Sequence, residues 1–428
     1  MNLIIEILRA VSYALISPTL SLMLIVVGFL FYFKNRKIAF MQKLMLGRSI
    51  VSPLELTLSQ ILFGIIGGIL ASLMLSFLGV TFENSSLVDA ILIGTIFSVI
   101  YRNRFLNMPY ISSLIGIIAV ILGFNEKYLG RGFSFDSNIT SIIALVGVFS
   151  IIEGLLTMVD GKSGYLPIFT QKDGKLIGGF SFRRFWIIPL GLLVVMGNNS
   201  GSVVINEIGN FPKWLPFFSG ENMASLISGV AIATIATYGV IFYDSSTFTR
   251  SKGNKIVSSG TIDIIYGIAI LGLDYILKYS YVLTIILLVL IPFLYGLRIK
   301  IEEKIESNRA PLYFSGDDDI CILDVLPNSL AFEKGLRSGD RIIKLNGEIP
   351  KSEKDVFMAI KKNYYGVNLE VRKNNGEIQK HTISSEDRGK LFGIILVPKG
   401  TSYDKEVNEL IEKLKKASQK EKQNKEDK

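Results

Sequence analysis

The sequence predicts an α-helical polytopic membrane domain followed by a small α+β domain. Of its 428 residues, 49% are hydrophobic and only 19% are charged, whereas a soluble globular chain carries about 25% charged residues. The long apolar runs lie before residue 300, and the charge is concentrated after it. Beyond residue 310, short alternating segments separated by glycine and asparagine turns are typical of strands. The two parts of the chain therefore predict two kinds of domain.

Residues 1–300 form the predicted membrane domain, with about nine apolar runs near the roughly 20 residues that a helix needs to cross a bilayer. The first run lacks a small-residue cleavage site and ends in the basic segment KNRK, which predicts an anchored helix rather than a removed signal peptide. The sixth run contains Pro189 and fits the helical pattern least well. The predicted spans are 11–33, 54–80, 86–101, 108–124, 139–159, 186–205, 222–243, 261–277 and 281–297.

The positive charges of the loops predict the orientation of these spans. The loops after the first, third, fifth and seventh runs hold fifteen lysines and arginines, and the alternate loops hold four. Lysine and arginine are retained on the cytoplasmic side of a membrane. We therefore expect the N-terminus outside the cell and everything after Leu297 in the cytoplasm.

Some residues inside the predicted spans suggest functions of their own. Glu153, Asp263 and Asp274 are ionisable groups at membrane depth, where a charge is costly and often functional, so they are candidates for ion or solute transport. Gly64 and Gly68 are four residues apart, a spacing that permits close helix packing and also a specific dimer contact. We expect ordinary packing, and a homo-oligomer remains open.

A charged connector over 301–310 leads to a predicted α+β domain over 311–400. ICILDV and KLFGIILVP are predicted strands, and PNSLAFEKGL is a turn followed by a short helix. Ser352 and Asp355 have the spacing of a capping box at the start of a second helix. The Asn-Gly pairs at 346–347 and 375–376 predict tight hairpin turns. The segment is long enough to enclose one modest core.

The motifs of this segment resemble those of a PDZ domain. They are PNSLA from Pro327, KGL from Lys334, GDRI from Gly339 and NG from Asn346. Glycines fit where a helix exit or a tight turn requires a positive φ, and an aspartate fits where a turn presents backbone amides. The late position of LFGI implies the permuted strand order of bacterial PDZ domains. The implied scaffold residues are Gly335, Gly339, Asp340, Asn346 and Gly347.

The same resemblance implies a peptide-binding groove, because PDZ domains accept a peptide as an added strand. The groove is expected between the strand at 393–397 and the helix at 352–362. Leu391 stands where the carboxylate-binding pattern has its first glycine, so the peptide is either a free C-terminus or an internal segment. Some of the candidate residues are expected to face the core. The candidates are Leu391, Phe392, Gly393, Ile394, Ile395, Val356, Phe357 and Ile360.

The composition argues against an enzyme. His381 is the only histidine, whereas a zinc site of the HExxH type needs two on one helix face and a Ser-His-Asp arrangement needs one near a serine. The acidic segment GDDDI lacks the spaced ligands of a calcium loop. A Ser-Lys pair is compatible with the composition, but no motif singles one out. We therefore expect no catalytic residue, no metal and no cofactor, and Cys321 alone excludes an intramolecular disulfide.

Many apolar spans, a C-terminal PDZ-like domain and no catalytic set together resemble the MinJ family of cell-division topological determinants. The segment IEGLLTMVDGKSGYLPIFTQKDGKLIGGFSFRRFWIIPL, which begins at Ile152, is similar to a cytoplasmic loop and the following span of that family, and the GIILVP ending is similar as well. The resemblance covers most of residues 1–398.

The resemblance implies a membrane scaffold that recruits the division inhibitor MinD, with MinC, to the pole and septum by bridging it to DivIVA. The implied partners are the lipid bilayer, these division proteins and a peptide segment in the groove. The basic residues lie mostly beside apolar runs and in the tail, so we expect no nucleic-acid partner. Two alternatives remain, a regulator or subunit of an intramembrane protease and a transporter that uses Glu153, Asp263 and Asp274.

The tail over 401–428 begins as an amphipathic segment. Val407, Leu410, Ile411 and Leu414 share one helical face, and no apolar residue follows Ala417. We expect the apolar face to pack on the flank of the domain or on a partner helix, and the charged end to be disordered.

Overall fold

The architecture is described by a computed structural model, which covers residues 2–82, 85–101, 107–129, 138–172, 175–196, 231–362, 366–384 and 391–399. The tail prediction therefore lies outside the described residues. The helices are α1 Asn2–Ile16, α2 Pro18–Leu46, α3 Pro53–Phe77, α4 Ser85–Tyr101, α5 Met108–Leu129, α6 Asn138–Asp160, α7 Lys252–Leu277, α8 Tyr281–Ser307, α9 Leu330–Glu333 and α10 Glu353–Lys362. The strands are β1 Thr81–Phe82, β2 Leu166–Lys172, β3 Lys175–Met196, β4 Ala231–Thr247, β5 Tyr313–Phe314, β6 Ile320–Val325, β7 Arg341–Leu345, β8 Val367–Arg372, β9 Ile378–Ile383 and β10 Ile394–Leu396.

Within the described residues, five helices are long and apolar enough to cross a membrane, namely α2, α3, α6, α7 and α8. Two shorter apolar segments lie within α4 and α5, at Leu87–Ile100 and Met108–Leu122. The chain is a membrane protein with a helical membrane domain, and an α+β domain follows it. The span at 139–159 corresponds to α6, whose apolar window is 78% buried, so this helix lies at the centre of the domain.

The predicted first span, 11–33, is divided into two helices. Helix α1 ends at Ile16, and α2 begins at Pro18. Proline favours the first turn of a helix because it has no N–H to donate to the preceding turn. The carbonyl of Ala14, which an uninterrupted helix would bond through residue 18, instead accepts from the Tyr238 hydroxyl at 2.7 Å.

The predictions of helical spans at 186–205 and 222–243 are wrong over the described residues. Strands β3 and β4 occupy 175–196 and 231–247 and pair antiparallel, with Ile187 opposite Val240. The apolar character was predicted, but β-branched and aromatic residues are frequent in both segments and favour a pleated surface. Pro189 also excludes a regular helix interior. Strands β1, β2 and β5 also pair with β3. A five-stranded sheet, whose longest pair is the β3–β4 ribbon, therefore lies in a domain that the sequence predicts as entirely helical.

Helices α3 and α4 cover the outer edges of this ribbon. The Gly191 N–H donates to the Ser72 hydroxyl at 2.9 Å, and the Val240 N–H donates to the Thr95 hydroxyl at 2.9 Å. Backbone groups within a membrane need partners inside the protein because lipid offers none. Hydroxyls on the neighbouring helices thus supply partners that an extended strand lacks at its edge.

Gly64 and Gly68 bring α3 against β3 rather than against another helix. A Cβ atom added to Gly64 would lie 2.1 Å from the Ile187 carbonyl oxygen, and one added to Gly68 would lie 2.1 Å from the Pro189 carbonyl oxygen. The close approach predicted from their spacing is therefore present, but its partner is a strand. This contact occupies the glycine face, so these glycines are not exposed for a dimer contact.

A second sheet forms the C-terminal domain, with strand order β10-β6-β7-β8-β9 and antiparallel pairing throughout. Asn346 and Gly347 both have positive φ, at 51° and 91°, as a tight hairpin turn requires. Gly335 leaves helix α9 at φ 82°. The Asp340 carboxylate accepts from the Arg337 N–H and the Lys373 ammonium, both at 2.9 Å. These residues hold the turns of the domain.

Candidate functional site

Strand β10 lies at the edge of the C-terminal sheet, as the predicted groove requires. It pairs with β6, Ile394 lying opposite Val325, and no other described strand pairs with it. An edge strand leaves one row of backbone N–H and C=O groups open to an added strand. Strands β10 and β9 are the two edges of this sheet among the described residues, and β10 is the edge to which the sequence assigns the groove.

The predicted lining residues divide between several surroundings. Phe392, Ile394 and Val356 are buried in the core of the C-terminal domain, and Ile360 packs against that core. Ile395 faces the opposite way and joins the hydrophobic cluster of the membrane domain. Phe357 and Leu391 are exposed, as is Met358 beside them. Phe332 of α9, the helix that contacts the turn before β10, is 40% exposed as well. The sequence pattern did not single out Met358 or Phe332.

The turn before β10 is anchored to helix α9. The carbonyls of Leu391, Phe392 and Gly393 accept from backbone N–H groups at residues 330, 331 and 326 respectively, at 3.2, 3.1 and 2.8 Å. Gly393 has a φ of 69°, and a Cβ there would lie 2.4 Å from the Ser329 Cβ. This turn fixes where β10 begins, so the edge strand is held in a defined position.

Asp324 ties the C-terminal domain to the membrane domain. Its carboxylate accepts from the Tyr165 hydroxyl at 2.5 Å and from the Lys252 ammonium at 2.7 Å. Its side chain is only 3% exposed, and the Lys252 ammonium also lies 3.9 Å from the centre of the Tyr165 ring. Burial, together with the Asp324 charge, raises the pKa of Tyr165, so this hydroxyl remains a donor.

Backbone pairing and apolar contacts extend the same junction. Strand β5 pairs with β3, Tyr313 lying opposite Gly178. Leu323 and Val397 are so close to Gly178 that a Cβ there would lie 2.9 and 3.0 Å from their methyl carbons. On the other side, the Arg48 guanidinium donates to the Pro327 carbonyl at 2.7 Å. One face of the C-terminal sheet is therefore covered by the membrane domain, whereas Phe357 and Met358 of α10 are exposed.

The three ionisable residues predicted at membrane depth do not form one group. Glu153 and Asp263 lie close to Arg298, which forms an ion pair with Asp263 and lies 3.4 Å from Glu302. Asp274 is also buried, but no described contact connects it to that cluster. Lys255 completes the cluster by pairing with Glu302 at 2.8 Å.

The sequence analysis missed Arg298, Glu302 and Lys255, which lie at the ends of α7 and α8. Their charges were assigned to the connector and to a loop. The available signal was the four-residue spacing of Arg298 and Glu302 at the end of an apolar run.

A cavity of about 560 Å³ opens beside this cluster, between strands β2–β4 and helices α7 and α8. Glu153, Tyr295 and Arg298 line it, and further along α8 the walls include Glu303 and Ser307. Its volume lies within the range of about 300–1,000 Å³ that is usual for small-molecule sites.

His381, the one histidine, lies in strand β9 opposite Leu369 and away from both regions. Its ring is partly buried, and burial, followed by the charge of Lys373, lowers its pKa. No group of three or more metal-ligating side chains is found in the part of the chain that the structure describes.

Two known proteins are similar to this chain. It is 26% identical over 357 residues to the cell division topological determinant MinJ of Bacillus subtilis (strain 168), a match that covers 78% of this chain and 81% of the relative. It is 26% identical over 172 residues to a xylulose kinase of Haemophilus influenzae, a match that covers 35% of this chain and 33% of that protein. No family model matches the chain, and no solved structure does.

Proposed function

Because the chain is MinJ-like, as the resemblance in its sequence predicted, we propose that it is a membrane-anchored cell-division topological determinant. The observation that carries this proposal is the similarity to MinJ over 78% of the chain, a match too long to lie within either domain alone. The match to the xylulose kinase covers only about a third of each chain, so it does not support a proposal of kinase activity for this protein.

In finer detail, we propose that the chain bridges MinD, with MinC, to DivIVA at the septum and poles. The N-terminus lies outside the cell in this proposal, and the C-terminal domain lies in the cytoplasm, where such partners are found. The five basic residues that follow the first apolar run, from Lys34 to Arg48, support this orientation.

The binding surface in this proposal is the outer edge of β10 together with the exposed face of α10. An added strand gains main-chain hydrogen bonds along the edge, and apolar side chains beside it select the sequence. Phe357 and Met358 are 43% and 49% exposed, and Leu391 is 42% exposed, which supports an apolar contact at this position. Both a free C-terminus and an internal segment are compatible with this surface, which we assign to a PDZ-like mode of binding.

The attachment of the C-terminal domain supports a holding role. Its contacts through Asp324, β5 and Arg48 fix the edge strand relative to the bilayer, so little orientational freedom is lost when a partner binds. A membrane anchor also raises the effective concentration of a partner that is itself bound to the membrane. We propose binding rather than catalysis, with no cofactor.

A membrane-compatible two-hybrid assay of the full chain against MinD and DivIVA tests this proposal. Phe357→Asp places a charge on the proposed surface and is expected to reduce the signal with one partner at least about tenfold, since an apolar anchor is replaced by a group that must be desolvated. Ile378→Asp is the matched control, because Ile378 is a 57% exposed apolar residue on strand β9 of the same domain. Failure of the full chain to bind either protein, or equal loss in both variants, contradicts the proposal.

A further inference from the structure

We propose that the cavity between β2–β4, α7 and α8 is a binding site for a primary ammonium group on a short aliphatic chain. This ligand binding is separate from the proposed binding of division proteins, because the residues that line the cavity are not those of the β10 edge. The inference rests on three observations: the shape of the cavity, the balance of charges at its inner end, and the lack of a hydrogen-bond or ion-pair partner for Glu153 among the described residues.

The cavity is elongated along helix α8. Tyr295, which is buried, and Ser307, which is exposed, both line it. They are twelve positions apart, which corresponds to about 18 Å of helix. Thr170 and Lys172 of β2 lie on the opposite wall. A narrow ligand that enters beside β2 therefore reaches the buried cluster.

The inner end holds more negative than positive charge. Glu153, Asp263 and Glu302 are three carboxyl groups, and Lys255 and Arg298 are the two cations that face them. All five residues are at most 9% exposed. With every group ionised, one negative charge remains, and a buried charge without a counter-charge is costly. Either a proton on one carboxyl group or a bound cation balances this charge.

Glu153 is the carboxyl group available to such a cation. It lines the cavity, is 8% exposed, and makes no hydrogen bond or ion pair with any residue that the structure describes. Asp263 and Glu302, by contrast, are engaged by Arg298 and Lys255. The unpartnered carboxylate thus lies at the inner end of the open space.

The remaining walls favour an organic cation over a metal ion. Tyr243 and Tyr295 line the inner part. Cations are attracted to aromatic ring faces, and the Arg298 guanidinium already lies 5.6 Å from the centre of the Tyr295 ring. Ile168, Ile177 and Ile299 provide apolar wall for methylene groups. No set of three or more metal-ligating side chains occurs among the described residues. An ammonium head with an aliphatic stem fits both the charged end and the apolar walls.

Calorimetric titration of the full chain in lipid nanodiscs tests the site, with 1,5-diaminopentane and Nα-acetyl-lysine methylamide as probes. The first probe represents a free amine, and the second represents the lysine side chain of a protein. We expect at least one of them to bind with a Kd below about 10 mM, while the uncharged 1,5-pentanediol does not bind. Absence of binding by both ammonium probes, or equal binding by the diol, overturns the proposal.

Variants connect the binding to Glu153. Glu153→Gln keeps the shape and removes the charge, so Kd is expected to rise at least about tenfold. Glu348→Gln, at an exposed position of the C-terminal domain, is the control and should leave Kd unchanged. Thr170→Trp narrows the cavity without changing its charge and should also weaken binding, which keeps the test decisive if Glu153→Gln does not fold. Unchanged affinity in a folded cavity variant contradicts the assignment.

Discussion

At the scale of single residues, the absence of a side chain determines how closely α3 approaches β3. Gly64 and Gly68 face two carbonyl oxygens of the strand at distances that no Cβ atom tolerates. The same helix supplies Ser72, whose hydroxyl accepts from the next exposed N–H of that strand. Small residues in α3 thus serve two purposes. The glycines allow the helix to contact the strand backbone, and the serine accepts a hydrogen bond from a backbone N–H of that strand.

Gly68→Ala is expected to destabilise the membrane domain by about 1–3 kcal/mol, because the added methyl group meets backbone rather than a side chain that can move. Gly272→Ala is the matched control, since Gly272 lies within α7 with nothing within 4 Å of an added Cβ. That variant should gain about 0.5–1 kcal/mol from the better helix former. Thermal unfolding followed by tryptophan fluorescence measures both, because Trp186 is buried in β3. Equal effects of the two substitutions would contradict the packing described.

Cys321 provides a second test at this scale. Burial raises the pKa of its thiol to about 12, so at pH 8 its thiolate fraction is about 2,000-fold below that of a free cysteine. A thiol reagent should therefore react with the native protein at least about 100-fold more slowly than with the unfolded chain. Time courses with and without denaturant measure this ratio.

The raised pKa of Cys321 also determines how its contribution to stability changes with pH. The folded state disfavours the thiolate, so the contribution of this residue is complete below the ordinary thiol pKa of about 8.5 and declines as pH rises from there towards 12. Cys321→Ser should lack this decline. Rapid labelling of the native protein at pH 8 would contradict the burial.

At the scale of elements, the β3–β4 ribbon depends on neighbouring helices for its edges. Ser72→Ala leaves the Gly191 N–H without its described partner, which is expected to cost about 1–3 kcal/mol of unfolding free energy. The control is Ser76→Ala, because the Ser76 hydroxyl bonds only to the Ser72 carbonyl of its own helix. Denaturant unfolding in detergent compares them. A larger loss in the control would show that the ribbon edge is satisfied in another way.

The junction between the two domains is the other feature at this scale. Asp324→Asn removes the charge that Lys252 and Tyr165 contact, and it is expected to cost about 1–3 kcal/mol at the junction while leaving the small domain folded. Hydrogen exchange should then rise in the connector and β5 but not in β6–β9. Asp318→Asn, at an exposed position, is the control. Unchanged exchange in β5 would contradict a junction held by Asp324.

At the scale of the whole molecule, the sequence predicted the membrane helices and the second domain better than it predicted what lies between them. Apolar length identifies α3, α6 and α8 because a buried helix and a membrane span need the same composition. The turn at Asn346-Gly347 was predictable because a tight hairpin turn needs positive φ at both central positions, and few residue pairs other than Asn-Gly adopt it readily.

The ribbon and the charged cluster were not predictable from local patterns. A continuous apolar run does not by itself distinguish a buried strand from a buried helix. Pro189 and the many β-branched and aromatic residues were the local signals against a helix. Arg298 meets Asp263 across 35 residues of chain, and no periodicity reports such a pair. The predicted groove residues are divided between the core of the C-terminal domain and that of the membrane domain. Local patterns could not predict this division, because it depends on how the two domains pack together.

The most direct test of the proposed function is the position of the full chain in living cells. A fluorescent fusion at native expression level, in the bacterium that encodes the chain, should be enriched at septa and poles, and Phe357→Asp should reduce this enrichment while Ile378→Asp preserves it. Uniform membrane fluorescence of the unmodified chain throughout the division cycle would contradict the account.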